Sequence, residues 1–90
     1  MRIDFDPTKD KLNLVAHGFS LSFASELAWS EALVWVDDRF EYDELRMIGL
    51  IPSGNRLYYV AFVDRGNNRR IISLRPAERR EVKHYVENYS

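Results

Sequence analysis

Ninety residues make one domain with a modest core. With 46% hydrophobic and 30% charged residues, the chain has enough apolar content to fold, which excludes a disordered or collagen-like polymer. The net charge of −1 conceals a division: residues 1–64 hold six Lys/Arg against eleven Asp/Glu, and residues 65–90 hold seven against three, a basic end that suits RNA or an acidic protein, or else forms a solvated helix.

Met1 to Phe5 alternates apolar and polar residues and reads as a short strand. Asp6-Pro7 then opens a helix, Asp6 as N-cap and Pro7 at the first helical position, running to His17 and stopping at Gly18. Leu12, Val15 and Ala16 are expected on its apolar side. Ser20 or Ser22 caps a second helix reaching Trp29, with Phe23, Leu27 and Ala28 facing the core. Strands follow at Ala32–Val36 and Arg46–Ile51, separated by the acidic loop Asp37–Asp43. Pro52–Asn55 is a turn, Arg56–Val63 a strand apolar on both faces and therefore central, and Asp64–Asn68 a second hairpin turn. Arg69–Leu74 is the last strand, ended by Pro76, and a helix runs from Ala77 to Tyr89. The predicted class is α+β in the order β-α-α-β-β-β-β-α, an antiparallel meander with helices on one face. Trp29, Trp35, Phe19, Phe23, Phe40 and Phe62 are read as core residues.

Four motifs recur in order along nearly the whole chain. They are Phe5-Asp6-Pro7-Thr8-Lys9; Asn13 with His17-Gly18 and Phe23; Asp38-Arg39 with Tyr42, Glu44 and Arg46; and Arg70-Ile71-Ile72-Ser73-x-Arg75-x-Ala77 with Glu81 and Tyr85. Their order and spacing resemble the BrnT family of type II toxins. That resemblance implies a RelE-like fold, endoribonuclease activity that inhibits translation, and a cognate BrnA-like antitoxin as partner.

Metal-independent RNA cleavage of the implied kind uses the ribose 2′-OH as nucleophile. It needs a base for that proton, an acid for the 5′ oxygen and positive charge at the phosphoryl oxygens. His17, Glu44, Arg46 and Arg75 are the catalytic candidates, and Lys9, Asn13, Tyr42, Arg70 and Ser73 the RNA-binding ones. Lys9, Asn13 and His17 stand at i, i+4 and i+8 and form one polar stripe of the first helix. A His in the last turn equally complements the helix dipole. Tyr42, Glu44 and Arg46 share a face if the chain is extended there, with Arg46 lowering the Glu44 pKa, or Glu44 makes a surface ion pair. Strict alternation places Arg69, Ile71, Ser73 and Arg75 on one face of the last strand and Arg70, Ile72 and Leu74 on the other, unless a bulge intervenes. Arg70 and Arg75 also read as guards of an edge strand.

Cysteine is absent, His17 and His84 lack metal-site spacing, and no glycine-rich phosphate loop occurs, so neither metal nor cofactor is expected. No apolar run approaches a membrane span or a signal-peptide core, and a cytoplasmic location is the expectation. The alternative to an active nuclease is a catalytically weak or inactive module of the same fold that binds an antitoxin or RNA.

Overall fold

The computed structural model describes residues 1–39 and 41–89; Phe40, read above as a core residue, lies outside them. The elements are β1 (Arg2–Asp4), α1 (Pro7–His17), two 3-10 segments (Leu21–Glu26 and Trp29–Glu31), β2 (Leu33–Val36), β3 (Met47–Ser53), β4 (Arg56–Arg65), β5 (Asn68–Pro76) and α2 (Arg79–Asn88). The five strands form a single sheet in the order β1-β5-β4-β3-β2. β2 to β5 are an antiparallel meander, as expected, with β4 at the centre. β1 joins β5 in parallel, pairing Asp4 with Arg70, so the sheet is mixed rather than antiparallel throughout.

The second helix is not an α-helix. Leu21, Ala24 and Leu27 recur every third residue and are the buried positions, which fits the three-residue turn of a 3-10 helix. They pack with Ile51, Tyr58, Val60, Phe62, Ile71 and Leu74 to form the core on one face of the sheet. Phe19, Phe23 and Trp29 border it, whereas Trp35 stands on edge strand β2, half exposed, with its ring 5.6 Å from that of His84 on α2. The helices are divided between the faces. The 3-10 segments cover the core face; α2 reaches the opposite one, where its Glu81 holds Arg75 beside Tyr59.

β5 carries a bulge. Ala61 pairs with Ser73 and Phe62 with Ile71, leaving Ile72 as the extra residue. The alternation count from sequence fails here. Arg70, Ser73 and Arg75 pair with Val63, Ala61 and Tyr59, alternate residues of β4, so all three lie on the face opposite the core. Nor is all of β5 an edge strand: β1 covers Asn68 to Arg70, and only the stretch beyond has an open side. Pro76 is the last residue of β5 rather than a breaker beyond its end.

Candidate functional site: a basic groove between the first helix and the sheet

α1 is bounded as its sequence dictates. The Asp6 carboxylate accepts from the Thr8 N–H at 2.8 Å, and Gly18, at φ 79°, turns its N–H to the Leu14 carbonyl. Its docking inverts the expected amphipathicity. Leu12, Val15 and Ala16 are exposed, and the buried residue of the helix is Asn13. The reason is the surface that α1 meets, which is the open edge of β5 and not an apolar face. Asn13 accepts from the Leu74 N–H at 3.0 Å and donates to the Leu74 carbonyl at 2.9 Å, replacing the strand that β1 is too short to provide. It also donates to the Phe19 carbonyl at 2.8 Å. Asp10 ties the next segment to the helix, accepting from the Leu21 N–H and the Ser20 hydroxyl.

A groove of about 370 Å³ opens between this helix and the sheet, lined by Lys9, Asn13 and His17, by Leu12 and Ala16, and by Arg46, Ile72 and Ser73. Five of the nine candidate residues therefore converge there. Its lining carries Lys9, His17 and Arg46 and no carboxylate. Arg46 lies with its guanidinium 4.0 Å from the centroid of the Tyr42 ring. Arg70 is on the same sheet face, and continuing the β3–β4 register by one residue sets Arg46 beside Val63, the partner of Arg70. Two strand spacings, about 10 Å, separate their backbones.

The Nε atoms of Arg46 and Arg70 are both buried without a hydrogen-bond acceptor among the described residues. Asp4 stands 3.3 Å from Arg70 Nε but does not meet it in hydrogen-bonding geometry, and its own Oδ1 is also unsatisfied. Buried polar atoms left open are uncommon.

The remaining candidates are committed elsewhere. The 42–46 segment is not extended, so Glu44 leaves Tyr42 and Arg46 and takes two hydrogen bonds from Arg65. That hydrogen bonding lowers its pKa, which was expected of Arg46. Arg75 donates to both carboxylate oxygens of Glu81 at 2.9 Å and lies 4.0 Å from the Tyr59 ring centroid. Glu81 also accepts from the Glu78 N–H at 2.7 Å, starting α2.

Asp37, which composition marks only as the start of an acidic loop, organises that loop beside the groove. Its buried carboxylate accepts from Arg39 Nε at 2.8 Å, the second Arg39 nitrogen at 3.0 Å, and the Tyr42 hydroxyl at 3.1 Å. The hydrogen bond from the Arg39 side chain, with those from the Arg39 N–H and Tyr42, outweighs burial and lowers its pKa to about 2. The spacing Asp-x-Arg-x-x-Tyr was the available signal. Among the described residues no three His, Cys, Asp or Glu side chains are grouped to hold a metal ion. No helix among them is long and apolar enough to cross a membrane.

Fold and groove together define a small α+β protein with a cationic, carboxylate-free groove suited to a polyanion. The family described as "Ribonuclease toxin, BrnT, of type II toxin-antitoxin system" matches residues 5–81, and the chain belongs to that family. Membership of a toxin–antitoxin family implies an antitoxin protein as partner. No curated protein was found to match the chain.

Proposed function

We propose that the chain is a metal-independent endoribonuclease toxin with a RelE-like fold. It inhibits translation in the cytoplasm by cutting RNA and is silenced by a cognate BrnA-like antitoxin. The observation that carries this reading is the meeting of Lys9, His17, Arg46 and Ser73 in one groove without a carboxylate.

In the proposed reaction the 2′ oxygen bonds to phosphorus as the bond to the 5′ oxygen breaks. His17 and water exchange the two protons, one taken from the 2′-OH and one delivered to the 5′ oxygen. Arg46 and Lys9 stabilise the phosphoryl oxygens, and Ser73 donates a hydrogen bond to them. Arg70 extends the phosphate track across the sheet, and Tyr42 holds the Arg46 plane. Asn13 fixes the groove wall through Leu74 instead of touching substrate. Arg75 reaches a phosphate only on release from Glu81, and Glu44 can accept a proton as base only on release from Arg65.

The test is incubation of the purified protein with single-stranded RNA in a chelator. Internal cuts that leave 2′,3′-cyclic phosphate and 5′-OH ends, and that disappear in a folded His17→Ala variant, are the expected result. Intact RNA overturns the reading. The Arg75–Glu81 pair favours a second reading, a weak or inactive module that binds antitoxin or RNA, because an arginine expected at the phosphate is already paired with a carboxylate. Capture of the antitoxin without any strand scission selects that alternative.

A further inference from the structure

The groove has a second chemistry besides charge. Leu12 and Ala16, one helical turn apart on α1, line it together with Ile72 of β5. Leu12 is 64% exposed, a large apolar side chain beside Lys9 and His17 rather than in the core. Ile72 is the bulged residue, the one position of β5 between Ile71 and Ser73 without a partner on β4. A bulge breaks the alternation of a strand and re-aims one side chain. Here it brings an isoleucine to the groove while the flanking Ile71 and Leu74 stay in the core.

We propose that Leu12, Ala16 and Ile72 form a nucleobase-binding wall, and that the groove takes an unpaired nucleotide with its base against this wall and its phosphate on the Lys9–Arg46 side. The proposal rests on the ribonuclease reading and deepens it by naming single-stranded RNA with a splayed base as the ligand. A purely electrostatic phosphate site has no use for two exposed apolar groups and a half-buried one among its cations. A base has a large apolar face, and sequence-tolerant binding of single strands joins base contacts to a cationic backbone track. A paired helix cannot present a base to this wall, so duplex RNA is a poor ligand.

The experiment compares a short 2′-deoxy oligonucleotide, which cannot undergo 2′-OH attack, with a matched abasic oligomer of the same charge. The wild type is expected to bind the base-bearing oligomer at least tenfold more tightly, and to keep that ratio as salt rises, because base contacts do not depend on counterion release. Leu12→Ala and Ile72→Ala are each expected to weaken the base-bearing oligomer about five- to tenfold and to leave the abasic one unchanged. Leu12 is exposed, so its variant keeps the fold even if Ile72→Ala does not. Equal binding of the two oligomers by a protein that still cleaves RNA overturns the wall alone. Base-dependent binding without any cleavage supports the wall and overturns the nuclease reading. If Leu12→Ala instead impairs antitoxin capture and spares both oligomers, the wall is a protein-docking surface and the proposal falls.

Discussion

Asn13 and Leu74 are sixty-one residues apart and joined by a reciprocal pair of hydrogen bonds, side-chain oxygen to backbone N–H at 3.0 Å and side-chain nitrogen to backbone carbonyl at 2.9 Å. Both residues are buried. Asn13→Ala leaves two buried backbone groups of Leu74 unsatisfied, and the expected cost is roughly 3 kcal/mol. Asn13→Asp is expected to be as harmful, since it keeps the acceptor but sets a carboxylate against the Leu74 carbonyl. Thermal unfolding measures both; a fall of less than about 4 °C for Asn13→Ala contradicts the account.

Asp37 predicts how the loop beside the groove responds to acid. Its pKa is lowered from 3.8 to about 2, chiefly by the hydrogen bond from the Arg39 side chain. The folded protein therefore holds this proton less tightly than the unfolded chain does. The stability that results is fully present above about pH 4 and is lost as pH falls toward 2. In Asp37→Asn the pH dependence of unfolding is expected to flatten across that window, with stability lowered at neutral pH. An unchanged acid limb in that variant means that Asp37 does not control the loop.

Structure set by neighbouring residues is legible in the sequence, and structure set by a distant partner is not. The Asp6 cap, the Gly18 stop and the hairpins at Gly54 and Gly66 follow from residues a few positions apart. Alternation alone separates Arg70 from Arg75, because a period of two assumes an unbroken strand; the bulge that brings them to one face is defined by the pairing of Ser73 and Ile71, on either side of Ile72, with Ala61 and Phe62 on β4. The apolar side of α1 was assigned to the core because amphipathicity reports that a helix packs, not what it packs against; an open strand edge needs an amide, and Asn13 supplies one. Glu44 was placed with Arg46 by assuming an extended chain, yet its partner Arg65 arrives from the far end of β4.

The pairing of Arg75 with Glu81 makes opposite predictions for its two members. Arg75→Ala removes both the anchor of α2 and a candidate phosphate ligand, and RNA cleavage is expected to fall about 100-fold. Glu81→Gln keeps the arginine and loosens its charge-assisted bonds, which costs roughly 1 to 2 kcal/mol of stability. If Arg75 acts on phosphate when released, the Glu81→Gln variant cleaves at least as fast as the wild type at a temperature where both are folded. A loss of cleavage in Glu81→Gln equal to that in Arg75→Ala shows that Arg75 serves only to hold the helix.

Arg46 and Tyr42 separate the value of a charge from that of a planar, oriented one. The Arg46 guanidinium carbon lies over the Tyr42 ring, 4.0 Å from its centroid, and its buried Nε has no acceptor among the described residues. A lysine keeps the charge but cannot stack as a plane or offer a two-pronged donor to phosphate oxygens. Arg46→Lys is therefore expected to retain the fold and most RNA affinity while losing about tenfold or more in kcat. Tyr42→Phe keeps the ring under the guanidinium and gives up the hydrogen bond to Asp37, so its kcat should stay near that of the wild type. Tyr42→Leu removes the ring and should resemble Arg46→Lys. Single-turnover cleavage of one RNA oligomer by the three variants decides the matter: if Arg46→Lys keeps full kcat, the groove needs only a positive charge at this position and the stack on Tyr42 is structural.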